Sequence, residues 1–291
     1  MKQLTIISGK GGTGKTSITA AFAILAENKV IADCDVDAAD LHLILDPVIE
    51  KRMDFSGSKL AVMDEDKCIK CGLCEENCRF NAIKDLKINP LKCEGCTVCE
   101  YVCPVDAIRM EDRISGEAFV SSTRAGPMAH ARLYTAEETS GKLVTLVRNN
   151  ARIKAREEGK DLIIIDGPPG IGCAVISAIT GVDLVLAVTE PTLSGISDLK
   201  RVLDVADHFK IKSLVTVNKY DLNREMADKI EEYCRSRGVQ VVGRIPYDRT
   251  VTDSMVEGKA VVETGDGPAA IEIKKVWEEV YRVLTGEGQN A

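Results

Sequence analysis

A chain of 291 residues has room for one large domain or two smaller ones, and a hydrophobic content of 45% is enough for a sizeable core. The formal charge of −7 and an aromatic content of 4% argue against a basic or base-stacking surface, and so against nucleic acid as the main partner. Of 11 cysteines, eight fall between Cys68 and Cys103, a density that in a reducing compartment means metal rather than disulfides. Lys2 is followed by only a short apolar stretch, too short for the core of a secretion signal, and no run has the length of a membrane span. The expected compartment is the cytoplasm, with no stable membrane insertion.

The first element is a strand, Gln3 to Ser8, and the next a helix, Thr16 to Leu25. Between them the residues Gly9, Lys10, Gly11, Gly12, Thr13, Gly14, Lys15 and Thr16 fit G-x-x-x-x-G-K-[ST] in the strand–loop–helix context that phosphate binding needs. Glycines let backbone N–H groups converge on phosphate oxygens, and the helix N-terminus favours an anion. Lys15 is expected to reach the β- and γ-phosphates, Thr16 to ligate Mg²⁺, and Ser17 to complete the loop. Val30 to Ala32 then forms a short apolar strand that ends in the spaced acids Asp33 and Asp35. Asp37 and Asp40 are expected to be ordinary turn or helix-start acids.

Two cysteine runs follow: Cys68, Cys71, Cys74 and Cys78, then Cys93, Cys96, Cys99 and Cys103, with Pro104 after the last. This is the bacterial two-cluster ferredoxin spacing written twice, in which the fourth cysteine of each run ligates the other cluster. One [4Fe–4S] cluster is therefore expected on Cys68, Cys71, Cys74 and Cys103, and the other on Cys93, Cys96, Cys99 and Cys78. Each half should be a small hairpin-and-helix unit, with Gly72 and Gly95 letting the loops turn. Arg79 stands where the pattern has proline and removes no ligand. Zinc is the alternative, since paired C-x₂-C also makes zinc ribbons, but two runs of four with a trailing proline fit it less well. The insert is placed at residues 60–113, within a first domain made of residues 1–59 and 114–291.

After a strand-like stretch, Gly116 to Ser122, the apolar run from Leu162 to Ile165 ends in Asp166 and the turn Gly167-Pro168-Pro169-Gly170. A buried strand ending in an acid is expected to hold Mg²⁺ through Asp166, by way of water. Further strands are read at Val182–Thr189, Ser213–Val217 and Val239–Ile245, with helices at Ser197–His208 and Arg224–Arg237 between them. The fold class is thus α/β, a mostly parallel sheet with helices on both faces, plus a small inserted α+β domain. An amphipathic stretch from Ile271 to Leu284 puts Ile273, Val276, Trp277 and Val280 on one side, the pattern of a helix packing on the sheet rather than on a membrane. The tail from Thr285 to Ala291 is expected to fray.

GKGGTGKT, with Lys10 directly after the first glycine, resembles the deviant P-loop of the MinD/ParA/nitrogenase-iron-protein group of ATPases. The chain as a whole is similar to the P-loop NTPases of that superfamily that contain an inserted ferredoxin-like domain. The resemblance implies a slow, partner-stimulated ATPase that binds ATP or ADP with Mg²⁺ and acts as a homodimer or as a heterodimer with a related ATPase. It implies that Lys10 crosses the dimer interface to the partner's nucleotide. It also implies that Asp35, in switch I, positions the attacking water, that the turn after Asp166 is switch II, and that Asn218 and Pro246 surround the adenine. The expected catalytic residues are Lys10, Lys15, Asp35 and Asp166. The cysteine that ligates a shared cluster in the nitrogenase iron protein corresponds to Cys173, but no second cysteine stands near Gly126. Cys173, Cys34 and Cys234 are therefore expected to be small buried hydrophobes, and His130 a satisfied packed histidine. The paired C-terminal C-x-x-C of cluster-scaffold ATPases is absent. Three readings remain: a nucleotide-driven redox switch acting on a redox partner protein, an iron–sulfur carrier, and a MinD-like binding module whose clusters are structural.

Overall fold

The computed structural model describes residues 1–134 and 141–286. In chain order the elements are β1 (Lys2–Ser8), α1 (Lys15–Leu25), β2 (Lys29–Asp33), α2 (Leu41–Leu45) and the long β3 (Val48–Met63). The cysteine-rich stretch holds α3 (Leu73–Glu76), β4 (Ile83–Lys84), β5 (Lys87–Ile88) and α4 (Val98–Tyr101). The long β6 (Ile108–Thr123), β7 (Gly126–Leu133), α5 (Gly141–Glu157), β8 (Leu162–Pro169), α6 (Cys173–Ile179) and β9 (Leu184–Thr189) follow. The chain ends with α7 (Leu193–His208), β10 (Ser213–Asn218), α8 (Arg224–Ser236), β11 (Gln240–Ile245), α9 (Arg249–Val256) and α10 (Pro268–Thr285).

The chain divides into two compact units. Among the described residues the first comprises Met1–Arg52, Ala118–Arg132 and residues 141–286. Its strands lie in the order β11-β10-β9-β1-β8-β2-β7, and every neighbouring pair in that series is parallel. Alternation along β1 shows why helices cover both faces. Leu4 and Ile6 point into a core shared with Phe22 of α1 and with Val276, Trp277 and Val280 of α10. Gln3 and Thr5 point the other way, where Gln3 Oε1 accepts from Arg148 of α5 at 3.0 Å and Thr5 donates to the Ala178 carbonyl of α6 at 3.1 Å. The apolar side of α10 is thus core, with Trp277 against Phe22 at a centroid separation of 4.9 Å. Thr285 still belongs to α10, which Gly286 ends in a left-handed conformation, so fraying does not begin there; residues 287–291 lie outside the described residues. Among the described residues no helix is long and apolar enough to cross a membrane.

His130 on β7 is packed as expected. Its Nε2 pairs with Ser121 Oγ at 2.8 Å and its ring stacks on Phe119. Burial, helped by His42, pulls its pKa from 6.5 to about 4. A group whose folded pKa is depressed takes up protons preferentially when unfolded, so this site favours the folded state above pH 6.5 and loses that contribution as pH falls toward 4. The free energy of unfolding, followed by denaturant titration at each pH, should fall more steeply between those limits for the parent than for His130→Gln, by on the order of 2–3 kcal/mol at the acid end. Equal slopes would show that His130 is not held neutral by the fold.

The second unit comprises Met53–Glu117 together with Leu133 and Tyr134 among the described residues. Strands β3 and β6 carry the chain between the units, so the second unit is wider than the span 60–113 that the cysteine spacing suggests. Its core is small: Ala61, Cys74, Ile83 and Ile108, with Met63, Leu86, Ile88 and Met110 against it. The β4–β5 hairpin turns through Asp85 and Leu86, both at positive φ.

Candidate functional site

The glycine-rich loop leaves β1 at Ser8 and enters α1 at Lys15. Gly12 and Gly14 adopt φ of 79° and 87°, conformations that cost a side-chain-bearing residue energy. Gly14 caps α1 without any side-chain acceptor, so the first N–H groups of the helix are left for an anion. A Cβ at Gly14 would also collide with the Asn218 amide, whose Nδ2 donates to the Thr13 carbonyl at 2.8 Å. Asn218, at the end of β10, is therefore tied to the loop itself.

A cavity of about 340 Å³ opens over the loop. It is lined by Gly11 to Ser17 and Asp35, together with Asn218, Pro246, Tyr247, Val251 and Met255. Its size suits a nucleotide. Gly9 and Lys10 lie outside this lining: a Cβ at Gly9 would collide with Asp198, and the Lys10 ammonium reaches Ser194 Oγ at 3.1 Å and Glu190 at 3.5 Å. Ser17 Oγ sits 3.2 Å from the Met255 sulfur.

Lys15 forms the centre of the site. It is 6% exposed and lies 2.9 Å from Asp166 and 3.1 Å from Asp35. Burial works against its charge, yet the neighbouring carboxylates of Asp166, Asp35 and Asp33 prevail and hold its pKa above the ordinary value. Asp166 accepts from Lys15, Thr16 and Thr19, each at 2.9 Å. Asp33 is 1% exposed; burial first, then the Asp166 charge, raise its pKa well above the usual range. One of its oxygens, Oδ2, is buried without a hydrogen-bond partner. Asp35 is raised as well, mainly by burial, against the pull of Lys15. Three carboxylates thus face one ammonium, with a threonine hydroxyl beside them. Within this surplus of negative charge the paired oxygens of Thr16 and Asp166 fit a Mg²⁺ ion that takes its other ligands from phosphate and water.

The carboxyl ends of the strands and the first turn of α1 bring Thr16, Asp35, Asp166 and Asn218 to the same end of a parallel sheet, where open α/β folds bind their ligands. Sequence reasoning missed Thr19, Lys219, Met255 and Glu190. Thr19 was recoverable: it lies four residues after Lys15, one turn along the same helix face. Cys173 departs from expectation. Cys34 and Cys234 are buried, but Cys173 is exposed, because it opens α6 directly after the switch-like turn instead of sitting inside the sheet packing.

The second unit holds a two-fold repeat of its own. Positive φ recurs at an interval of 25 residues, at Lys70 and Gly95, at Gly72 and Thr97, and at Asn81 and Asp106. Gly72 and Thr97 cap the N-termini of the short helices α3 and α4. The Ala82 N–H donates to Cys78 Sγ at 3.3 Å, and the Ala107 N–H donates to Cys103 Sγ at 3.2 Å. One cavity is lined by Cys68, Cys71, Cys74 and Cys103, with Ile69, Leu73 and Ile108 among its apolar walls. A second is lined by Cys78, Cys93, Cys96 and Cys99, with Phe80, Ile83 and Val98. Among the described residues no three His, Cys, Asp or Glu side chains gather closely enough to grip a single bare metal ion. Burial raises the thiol pKa of Cys74 and pushes Cys99 up to about 11, so a metal group must displace protons to bind.

Comparison with known proteins bears on the first unit and on the chain as a whole. The family profile described as the CobQ/CobB/MinD/ParA nucleotide binding domain matches residues 4–261. An uncharacterized protein of Methanocaldococcus jannaschii is 35% identical, over 97% of this chain and 97% of its own. The septum site-determining protein MinD of Helicobacter pylori is 25% identical, over 98% of this chain and 90% of its own. Among solved structures, MinD from Pyrococcus horikoshii, complexed with Mg-ADP, superposes with a TM-score of 0.62 at 19% identity, over 99% of each chain. The parallel sheet, the loop that enters a helix at Lys15, and these matches together place the chain in the CobQ/CobB/MinD/ParA family, as a P-loop ATPase.

Proposed function

We propose that this ATPase is a MgATP-dependent dimeric switch that carries two [4Fe–4S] clusters and couples its nucleotide state to electron exchange with a redox protein. The observation that carries this reading is the make-up of the two cysteine cavities. Each is lined by three cysteines of one run and the last cysteine of the other. Two independent zinc ribbons would draw each set of four from its own run, whereas the crossed arrangement belongs to a two-cluster ferredoxin. When bound, the clusters supply one-electron carriers. The chain's part is to hold them on eight thiolates, to wall them with apolar side chains, and to donate the Ala82 and Ala107 N–H groups to Cys78 and Cys103 sulfur, which tunes the potential. Iron and sulfide analysis of anaerobically purified protein tests it: about eight iron atoms per chain are expected. Stoichiometric zinc without sulfide would refute it.

On the nucleotide side, Lys15 neutralises the β- and γ-phosphates against the backbone N–H groups of Gly11 to Thr16. Thr16 and Asp166 hold Mg²⁺, Asp35 orients the attacking water, and Asn218 and Pro246 flank the base. Lys10 acts on the nucleotide of a partner protomer. Residues 36–52 join Asp35 directly to the second unit through α2 and β3, so a shift of Asp35 on hydrolysis has a short covalent route to the cysteines. Lys10→Ala is expected to lower turnover at least about a hundredfold while nucleotide affinity stays within about twofold. Equilibrium nucleotide binding and phosphate release, measured side by side, check this; parent-like turnover removes the trans role.

A second reading, an iron–sulfur carrier, is favoured by the exposure of Cys71 and Cys96, one ligand of each set. Rapid movement of iron to an apo acceptor protein would favour it over electron exchange.

A further inference from the structure

Lys10 does not point away from its own protomer. Its ammonium is bound between Ser194 Oγ, at 3.1 Å, and Glu190 Oε2, at 3.5 Å. The other oxygen of Glu190 accepts from Lys219 at 2.6 Å, and the Lys219 ammonium also reaches the Gly12 carbonyl of the loop at 3.3 Å. Glu190 is therefore a carboxylate shared by two lysines, one in the glycine-rich loop and one at the end of β10. Its position is well defined. It closes β9, and the following turn is capped by Thr192, which accepts from the Gly195 N–H at 2.9 Å. A Cβ at Gly195 would collide with the Glu190 carbonyl oxygen, so the turn is built around that close approach. The Glu190 side chain is mostly buried, at 16% exposure, which lessens screening of its pair with Lys10.

We infer that Glu190 is a positioning residue that restrains the Lys10 ammonium within its own protomer, so that the lysine becomes available to a partner's nucleotide only when this pair is broken. The inference rests on the trans role of Lys10 proposed above. A lysine left free would be available to any colliding protomer. A lysine held by Glu190 and Ser194 must first exchange those partners for the phosphates of a bound nucleotide, whose higher charge outbids a single carboxylate. The restraint thus links productive assembly to the presence of ATP on the other protomer.

The test compares four proteins: parent, Glu190→Gln, Lys10→Ala and the double variant. Phosphate release from MgATP is measured as a function of protein concentration, and self-association by sedimentation with a non-hydrolysable ATP analogue. Glu190→Gln should lower the protein concentration for half-maximal specific turnover by about two- to fivefold, the scale of one partly screened ion pair. Ser194→Ala, which removes the other anchor without a charge change, should move it the same way by a smaller factor. In the Lys10→Ala background Glu190→Gln should leave the half-point for self-association, read by sedimentation, unshifted, because the remaining Glu190 contact is with Lys219 of the same protomer. An unchanged or raised half-point for Glu190→Gln, or an equal shift in the Lys10→Ala background, overturns the restraint. Parent-like turnover by Lys10→Ala alone is a different result, and removes the trans role on which the restraint rests.

Discussion

Asp166→Asn is expected to lower ATP turnover about a thousandfold while leaving the melting temperature of the nucleotide-free protein unchanged or higher. Asp166 is the shared acceptor of Lys15, Thr16 and Thr19, and no other carboxylate in the site is bonded to all three. Neutralising it removes the acid proposed to hold Mg²⁺ and loosens the orientation of Thr16, the other proposed holder. Charge stabilisation at the transferring phosphoryl group is where most of the catalysis in such a site resides. Stability moves the other way. Burial and the Asp166 charge already hold Asp33 above its usual range, so removing one of three crowded carboxylates relieves repulsion, while Lys15 keeps Asp35 as a partner. Phosphate release at saturating MgATP and calorimetry of the apo protein measure the two effects. Turnover within tenfold of the parent, or a clear fall in apo stability, would show that Asp166 is a structural acid.

The second large effect concerns the cysteines. Cys78→Ser should remove the cluster on Cys93, Cys96 and Cys99, its neighbours in one cavity, and leave the cluster on Cys68, Cys71, Cys74 and Cys103. Iron should fall from about eight to about four atoms per chain. Pairing variants makes the assignment decisive. Cys78→Ser with Cys96→Ser strikes one cavity twice and should retain about four iron atoms, whereas Cys78→Ser with Cys71→Ser strikes both and should retain none. The reverse pattern would mean that each run serves its own cluster. A large stability cost should accompany the double loss, because the main apolar cluster among the unit's described residues is small, Ala61, Cys74, Ile83 and Ile108 with a few partly buried neighbours. Metal binding is then folding free energy.

Much of this was legible in the residues. The loop from Gly9 to Thr16 carries its own structural context, and the acid ending an apolar strand located Asp166 beside it. The apolar strands of the parallel sheet were readable because strands buried on both faces are continuous hydrophobic runs. The two cysteine runs were readable as a repeated pattern; that the last cysteine of each lines the other run's cavity follows from the ferredoxin pattern and not from the three-residue intervals, which alone would keep each run together. What stayed hidden has physical reasons. β3 is long but only two of its residues are buried, and its Glu, Lys, Arg and Asp residues give no apolar alternation, so the width of the second unit was unreadable. Cys173 is exposed through its place at the head of a helix, which composition does not report. The restraint on Lys10 joins residues 180 positions apart by way of neighbouring strand ends, and no local pattern signals such a pair.

The most direct test of the central claim is the EPR spectrum of anaerobically purified, dithionite-reduced protein recorded with and without MgATP. The account predicts two interacting [4Fe–4S]⁺ signals whose shape or intensity changes when MgATP is added. Spectra that show the clusters but do not respond to MgATP would contradict a coupling between the nucleotide site and the cysteines.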